Sequence, residues 1–326
     1  MQLVKIGLAL GSGGARGWAH IGVIRALEEA DIKVDYLSGA SIGALVGAIY
    51  GIGALDELEE FADEVDVDYL LSLMDISFPS LGLIKGDNIV NFISKFISDQ
   101  KVEETQIPFR CVATNFMQKK ETIFESGSLI DAVRASISIP GIFRPFERDD
   151  TYLIDGGIIN PVPISVVKEM GAEVIIAVNL NSDSESEEAD SQGYPYVSCS
   201  KAEKEKIDKE SQENQGKEKQ TSGIVQKLKD RYDALKLILP NDINDWIPDP
   251  EVGLSIFDVI GNSINIMEQQ VTDIKLKIEQ PDILIEPNLM DFSIFDFHQA
   301  KLIMQRGYDA AKPKIPQLKE VLKEAA

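Results

Sequence analysis

A serine lies between two glycines in the pentapeptide Gly39-Ala40-Ser41-Ile42-Gly43, where an apolar extended run meets a segment of small residues that favours a helix. Hydrolases hold a nucleophilic serine on a sharp strand-to-helix turn of this kind. The turn would place the hydroxyl at a sheet edge and direct the N-terminus of the next helix at developing negative charge. Small residues also occur wherever a helix packs closely on a strand, so Ser41 needs a base nearby before it can be interpreted as a nucleophile.

The chain contains two histidines, and neither has an obvious place beside Ser41. His20 falls on the predicted helix after a glycine-rich loop, where it could pack under that loop without contacting the serine. The order Ser41, Asp155, His298 would reproduce the Ser-Asp-His chain order of α/β-hydrolases. The residues around His298, however, indicate the start of a C-terminal helix packed on the surface. A catalytic His298 is therefore an alternative and not the preferred base.

Asp155 is the preferred candidate for the base. It follows the apolar run "YLI", and Gly156 and Gly157 let the chain turn there with nothing bulky beside the carboxylate. An aspartate with its ordinary pKa of about 3.9 is a weak base for an alcohol. Burial would raise that pKa, and strong stabilisation of an oxyanion would lower the demand on the base. A purely structural turn aspartate is the competing interpretation.

The heptapeptide "GSGGARG", residues 11–17, ends the first predicted strand and opens a helix. In a hydrolase such a loop supplies an oxyanion hole, and the candidate donors are the backbone N–H groups of Gly13, Gly14 and Ala15. Glycine lets the backbone approach a substrate closely and adopt positive φ. Arg16 would either brace this loop or contact an anionic headgroup.

Dinucleotide-binding proteins use the same strand, glycine loop and helix to hold a pyrophosphate. A G-x-G-x-x-G motif ending at Gly17 would have to start at Ser12, so the match is imperfect. An acidic residue does follow about 20 residues on, at Asp31 or Asp35. This alternative leaves the GxSxG motif unexplained, whereas in a hydrolase Gly11 and Gly17 would support the oxyanion loop.

Strands alternate with helical patterns along most of the chain, which indicates an α/β fold with a mostly parallel sheet covered by helices on both faces. The segment after the glycine loop, for example, has apolar residues at the spacing of one helix face. The predicted strands cover residues 3–10, 34–40, 109–116, 152–157, 173–180 and 282–288.

The composition narrows the classes of function. The chain has 326 residues with 32 basic and 54 acidic side chains, and its formal net charge of −22 argues against a nucleic-acid partner. The same charge argues against purely electrostatic attraction to anionic lipids. Two cysteines outside any CxxC or Cys/His cluster favour a reducing compartment. With no long apolar stretch and an N-terminus that predicts a strand, we expect a cytoplasmic protein, with peripheral membrane contact still open.

The expected domain organisation is a catalytic core over 1–181, an insertion over 182–222 and elements over 223–326 that complete the same domain. Ser, Glu, Lys and Gln dominate the insertion, which we therefore expect to be disordered. Residues 223–239 have helical periodicity, typical of a packed helix or of one that lies on lipid. Residues 66–100 are rich in Leu, Ile and Phe, as expected of core helices or of a cap over an apolar acyl pocket.

The three motifs together resemble the patatin-like phospholipase family, in particular its bacterial members. The resemblance covers about residues 5–181, and its specificity comes from the order and spacing of the motifs. It is supported by "HIGVIRALEE" after the glycine loop, "VATN" at 112–115, "ASISIPGIFRPF" at 135–146 and "DGGIINPVP" at 155–163.

The resemblance implies a three-layer α/β sandwich and a lipid acyl hydrolase that needs neither metal nor cofactor. It makes Ser41 the nucleophile, Asp155 the proton acceptor, and the loop at Gly13 and Gly14 the oxyanion hole. Many family members have glycine where this chain has Ser12. The implied partners are a lipid substrate and, transiently, a membrane or micelle surface. The alternative from another class is a catalytically weak regulatory or scaffold protein that uses residues 182–222 as its contact.

Overall fold

The described part of the chain is built around a mixed, mostly parallel β-sheet. The computed structural model describes residues 4–65, 69, 72–73, 75, 82, 84–182 and 256–325. The chain divides into two compact units, Met1–Ser184 with Phe257–Ala326, and Glu185–Ile256. The second unit lies outside the described residues apart from Ile256. The predicted insertion from residue 183 onward and the predicted helix at 223–239 therefore also lie outside them.

Within the described residues the sheet has the strand order β5-β6-β3-β2-β1-β7-β8, and β4 pairs with β3. The strands are β1 (Ile6–Leu10), β2 (Tyr36–Ala40), β3 (Phe109–Asn115), β4 (Lys120–Phe124), β5 (Phe146–Arg148), β6 (Thr151–Ile154), β7 (Val174–Val178) and β8 (Ile283–Ile285). Neighbours among β1, β2, β3, β7 and β8 are parallel, whereas β4, β5 and β6 add antiparallel pairs. The prediction of a mostly parallel sheet is confirmed.

Helices connect most of these strands. They are α1 (Trp18–Glu29), α2 (Ile42–Gly51), α3 (Leu55–Glu64), α4 (Asp87–Ile97), α5 (Leu129–Ser136), α6 (Ile164–Glu169), α7 (Ile256–Glu279), α8 (Ala300–Ala311) and α9 (Ile315–Ala325). Short 3₁₀ segments cover Gly14–Gly17, Val102–Glu104, Gly156–Ile158, Phe297–Gln299 and Lys312–Lys314. Strand β8 pairs with β7 in parallel and lies at one end of the strand order.

Different helices cover the two faces of the sheet. The sequences of β1 and β7 are apolar at almost every position, which is typical of strands that are buried on both faces. Leu8 and Leu10 of β1 belong to the large core, which includes residues of α1, α2, α5 and α8. Ala9, which points the other way, packs in a smaller cluster with residues of α6, and Leu276 of α7 contacts that cluster. Alternate side chains of one strand thus face different helix layers, and the predicted three-layer sandwich is confirmed.

Candidate active site

The register of β1 and β2 places the glycine loop beside the serine turn. Leu10 pairs with Gly39 in these parallel strands, so the residues that follow each strand emerge side by side at the carboxyl edge. Ligands of open α/β sheets bind outside this edge. Residues 11–17 and Ser41 are therefore neighbours because of strand pairing.

Strand pairing also places the aspartate. Val112 pairs with Ala40, and Thr114, two residues further along β3, pairs with Ile154 of the antiparallel strand β6. Asp155 directly follows Ile154 and therefore lies next to the residue after Ala40, the serine. The two side chains come from positions 114 residues apart in the chain.

The Ser41 hydroxyl donates a hydrogen bond of 2.6 Å to Asp155 Oδ2. Both residues are buried, with exposed fractions of 5% and 1%. The second carboxylate oxygen, Oδ1, accepts a hydrogen bond of 2.7 Å from the Gly157 amide, and the Asp155 amide donates to the Ser138 carbonyl at 2.9 Å. These bonds fix the carboxylate on the hydroxyl, which is the geometry a base needs to accept the proton.

The turn that presents the serine is strained and closely packed. Ser41 has φ 55° and ψ −123°, a conformation that residues with a side chain rarely adopt. A Cβ on Gly39 would overlap the Gly43 carbonyl, and one on Gly43 would overlap the Leu10 carbonyl. Both glycines of the pentapeptide are therefore needed for the close approach of backbone segments, as expected of a nucleophile turn.

Ser136 supports this turn, and sequence reasoning missed it. Its hydroxyl accepts a hydrogen bond of 2.9 Å from the Ser41 amide and donates one of 2.6 Å to the Val112 carbonyl. Thr114 acts similarly on the acid turn, because its hydroxyl donates to the Asp155 carbonyl at 2.8 Å. Ser136 lies within the segment "ASISIPGIFRPF", which carried the family resemblance but gave no indication of this contact.

The environment of Asp155 makes its carboxylate a stronger base than an ordinary aspartate. Burial raises the pKa of Asp155 well above its usual value, and the negative charge of Glu268 raises it further. The hydrogen bonds from Ser41 and Gly157 oppose the rise because they stabilise the ionised form. The weakness of a free aspartate as a base, noted from the sequence, is thus offset by burial.

Neither histidine forms a hydrogen bond with Ser41 or Asp155 among the described residues. His20 is fully buried, and its Nε2 donates to the Gly11 carbonyl at 2.8 Å, since a carbonyl can only accept. Burial lowers the pKa of His20 to about 4, so the ring is neutral at physiological pH. It packs under the loop, as predicted. His298 lies exposed in the 3₁₀ segment before α8, while the Ser41 hydroxyl is directed at Asp155.

We expect His298→Ala to leave hydrolysis nearly unchanged. Loss of a general base costs typically 10²–10⁴-fold in rate, whereas loss of an exposed side chain that takes no part in the chemistry leaves the catalytic groups in place. Steady-state kinetics on a chromogenic acyl ester measure the difference. A loss of more than about tenfold in a folded variant would make His298 part of the chemistry.

The amides of Gly13 and Gly14 remain the candidate oxyanion donors of the glycine loop. Among the hydrogen bonds of the described residues, none is donated by the amide of Gly13 or Gly14. Gly14 has φ 58° and lines the same cavity as Ser41. The Ala15 amide instead donates to the Ile294 carbonyl at 2.8 Å. This contact contradicts the prediction of Ala15 as a third oxyanion donor, because the C-terminal segment already occupies its N–H.

Arg16 braces the loop. It is 8% exposed, its Nε donates to the Phe292 carbonyl at 3.0 Å, and its Nη1 donates to Asn265 Oδ1 at 3.1 Å and to Asn181 Oδ1 at 3.3 Å. Of the two roles suggested by the sequence, these contacts favour bracing over contact with a headgroup.

An apolar cavity of about 180 Å³ opens at the serine. Apart from the Trp18 indole, Ser41 has the only polar side chain among the described residues that line it. The indole N–H donates to the Phe297 carbonyl at 3.1 Å. The remaining walls are aliphatic and aromatic and include Leu45, Phe61, Ile142, Ile294 and Phe295.

The described part of residues 66–100 contributes both core and cavity wall. Leu73, Ile84, Ile89 and Phe92 line the cavity. Phe92 also belongs to the main core, together with other buried residues of α4. The two interpretations of this segment, core helix and pocket cover, therefore both apply to the residues described.

The serine lies on a strained strand-to-helix turn and is hydrogen-bonded to a buried carboxylate at the carboxyl edge of the sheet. Serine hydrolases with an α/β fold have this arrangement. Comparison with known proteins identifies the family. Residues 8–168 match the family model described as patatin-like phospholipase, and this segment of the chain belongs to that family.

Curated relatives match the same part of the chain, and one solved structure shares its fold. The chain is 39% identical to an uncharacterised NTE family protein of Mycobacterium tuberculosis over 176 residues, which are 54% of its length. Over 180 residues it is 36% identical to lysophospholipase nte1 of Emericella nidulans. The match spans about half (49%) of the mycobacterial protein and 12% of the fungal one. The crystal structure of VipD from Legionella pneumophila has the same fold, with a TM-score of 0.53 and 14% identity over 97% of this chain and 67% of VipD.

In the part of the chain that the structure describes, no helix is both long and apolar enough to cross a membrane.

Proposed function

We propose that this protein is a lipid acyl hydrolase, a serine esterase that cleaves carboxylic ester bonds of phospholipids, lysophospholipids or simpler fatty acyl esters. The observation that carries the proposal is the 2.6 Å hydrogen bond from Ser41 Oγ to Asp155 Oδ2 at the wall of an apolar cavity. The match of residues 8–168 to the patatin-like phospholipase family and the similarity to a fungal protein named lysophospholipase support it.

In the first half-reaction Asp155 accepts the proton of Ser41 as Oγ attacks the ester carbonyl. The carbonyl oxygen becomes an oxyanion, and the free amides of Gly13 and Gly14, with the N-terminus of α2 directly after the serine, supply positive potential for it. The tetrahedral intermediate collapses, the ester C–O bond breaks, and the leaving alcohol or lysolipid takes the proton from Asp155. The acyl group remains on Ser41 as an ester.

In the second half-reaction a water molecule replaces the leaving group. Asp155 accepts a proton from this water, the resulting hydroxide attacks the acyl carbonyl, and Oγ leaves and regains the proton. The products are a free fatty acid and the original enzyme. No step needs a metal or cofactor, because the base, the nucleophile and the oxyanion donors all belong to the chain.

The walls of the cavity suit a fatty acyl chain. An alkyl chain gains about 0.8 kcal/mol for each CH₂ group transferred from water to an apolar site. The polar atoms of Ser41 and the amide-bearing loop at Gly14 lie at this cavity, so a bound acyl chain would bring its carbonyl to the nucleophile. Because long-chain lipids reside in bilayers or micelles, we expect transient contact with such surfaces during substrate uptake.

Covalent labelling tests the proposal. A fluorophosphonate probe should react with Ser41 in the wild type, because phosphonylation uses the same activated hydroxyl and oxyanion site. Intact-mass and peptide mass spectrometry should locate one adduct on Ser41, and Ser41→Ala should not be labelled. A scaffold protein that only binds would leave Ser41 unlabelled at probe concentrations that modify active serine hydrolases, and that result would overturn the proposal.

A further inference from the structure

Glu268 is a carboxylate on the buried face of α7. It is 5% exposed, and its neighbours one helical turn away on the same face, Ile264 and Thr272, are 9% and 1% exposed. Ile266 and Met267, on the opposite side, are 60% and 52% exposed. A charged group is costly on a buried face unless it has polar partners, so the polar contacts of Glu268 decide what it does there.

The partners of Glu268 are the elements that build the active site. Its Oε2 accepts a hydrogen bond of 2.8 Å from the Ser12 hydroxyl and one of 3.1 Å from Asn181 Nδ2. Ser12 directly precedes Gly13 in the oxyanion loop. The other oxygen, Oε1, lies against the acid turn, since a Cβ on Gly157 would overlap it. Glu268 thus joins the oxyanion loop to the turn that carries Asp155.

Two charged groups of the described residues interact with Glu268. Asp155 is the acidic group that it affects, and Arg16 is the basic group that stabilises it, partly through Asn181. Burial raises the pKa of Glu268 to about 7, and the hydrogen bonds from Ser12 and Asn181 with the charge of Arg16 limit the rise. When Glu268 is ionised, its negative charge disfavours a second negative charge on Asp155.

We propose that Glu268 is a positioning residue of the hydrolase: it holds the oxyanion loop against the Asp155 turn, and its charge sets the pH range in which Asp155 accepts the serine proton. The inference rests on the proposed hydrolytic function. Glu268 and its partner Asn181 lie beyond residues 8–168, whereas Ser12 and Gly157 lie within them, so segments outside the matched range support groups inside it.

Glu268→Gln tests this role because the amide has nearly the same shape and its oxygen still accepts from Ser12 and Asn181. Without the nearby negative charge the pKa of Asp155 falls, so the acid limb of the kcat/KM profile should move to lower pH by about one unit. The ratio of variant to wild-type activity should therefore rise as pH passes about 7, where wild-type Glu268 becomes ionised, and should show no such gain near pH 5, where Glu268 is protonated. Asp273→Asn, which removes an exposed negative charge from the same helix, should keep the wild-type profile.

Thermal unfolding gives a readout independent of turnover. Because the folded pKa of Glu268 is raised from 4.5 to about 7, its contribution to stability is present at low pH and is lost as pH rises through that interval. The fall in Tm between these pH values should be smaller in Glu268→Gln than in wild type. If Glu268→Gln does not fold, Ser12→Ala is the second variant. Removing the hydrogen bond from Ser12 raises the pKa of Glu268, so Glu268 stays protonated to higher pH. The acid limb of the kcat/KM profile should then move in the same direction as in Glu268→Gln.

The outcomes separate the two proposals. If the wild type hydrolyses esters and Glu268→Gln loses the same fraction of activity at every pH, or loses none, the role of Glu268 is overturned while the hydrolase proposal stands. An acid limb that moves to higher pH would overturn it as well. A wild-type protein that neither hydrolyses esters nor reacts with fluorophosphonate would overturn both.

Discussion

Replacing Ser41 by alanine is expected to lower kcat/KM for a p-nitrophenyl acyl ester by at least about 10³-fold. The hydroxyl is the only group placed both at the apolar cavity and on the Asp155 carboxylate in the described residues, so no neighbouring side chain can form the acyl-enzyme in its place. A panel of phospholipids, lysophospholipids and simple esters, assayed side by side with both proteins, would measure the loss. Mass spectrometry of the released acids would define the substrate class.

A matched control exists in the same chain. Ser98 has φ 51° and ψ −146°, close to the values of Ser41, but it is exposed and caps the end of α4 away from the cavity lining. Ser98→Ala introduces alanine into the same strained backbone conformation and should keep wild-type activity. Ser41→Ala with unchanged turnover and an intact fold would show that another residue is the nucleophile.

Asp155→Asn is expected to lower kcat by about 10²–10⁴-fold, the usual contribution of a general base. The asparagine oxygen can still accept from the Gly157 amide, but the amide nitrogen would then face Ser41 and could not take its proton. Rapid-mixing kinetics should show slower formation of the acyl-enzyme. Asp150→Asn, an exposed aspartate in the turn between β5 and β6, is the control and should be fully active.

Stability should move in the opposite direction from activity. Because burial and the charge of Glu268 raise the folded pKa of Asp155, the ionised carboxylate costs stability as pH rises through that pKa. Neutral asparagine removes the cost, so the Tm of Asp155→Asn at pH 8 should equal or exceed that of wild type. A lower Tm together with lost activity would indicate a structural aspartate, the competing interpretation from the sequence.

Much of the sheet could be predicted from local patterns. Each of the six predicted strands corresponds to a strand of the structure, because a strand buried on both faces is a short apolar run ended by turn residues. The hairpin strand β4 and the edge strand β5 were not predicted. They are short and partly exposed, and pairing with β3 and β6 rather than local hydrophobicity holds them in place.

The residues that sequence reasoning missed act over long chain separations. Ser136 contacts Ser41 from 95 positions away, and Glu268 contacts Ser12 from 256 positions away. One signal for Glu268 was present, since a glutamate occupies the buried face of an amphipathic helix pattern between Ile264 and Thr272. That pattern marks an unusual buried carboxylate but does not identify its partners.

Residue types within a few positions of one another were enough to predict the nucleophile turn, the glycine loop, the acid turn and the α/β class. The packed structure shows where the candidate bases lie, since strand register brings Asp155 into hydrogen-bond contact with Ser41 while His20 contacts Gly11 and His298 lies exposed. It also showed that Ile294 occupies the Ala15 amide and that Glu268 lies behind the acid turn. Burial and contacts between distant segments determine the pKa values of the carboxyl groups and which backbone amides are free to donate. Burial and such contacts exist only in the packed chain.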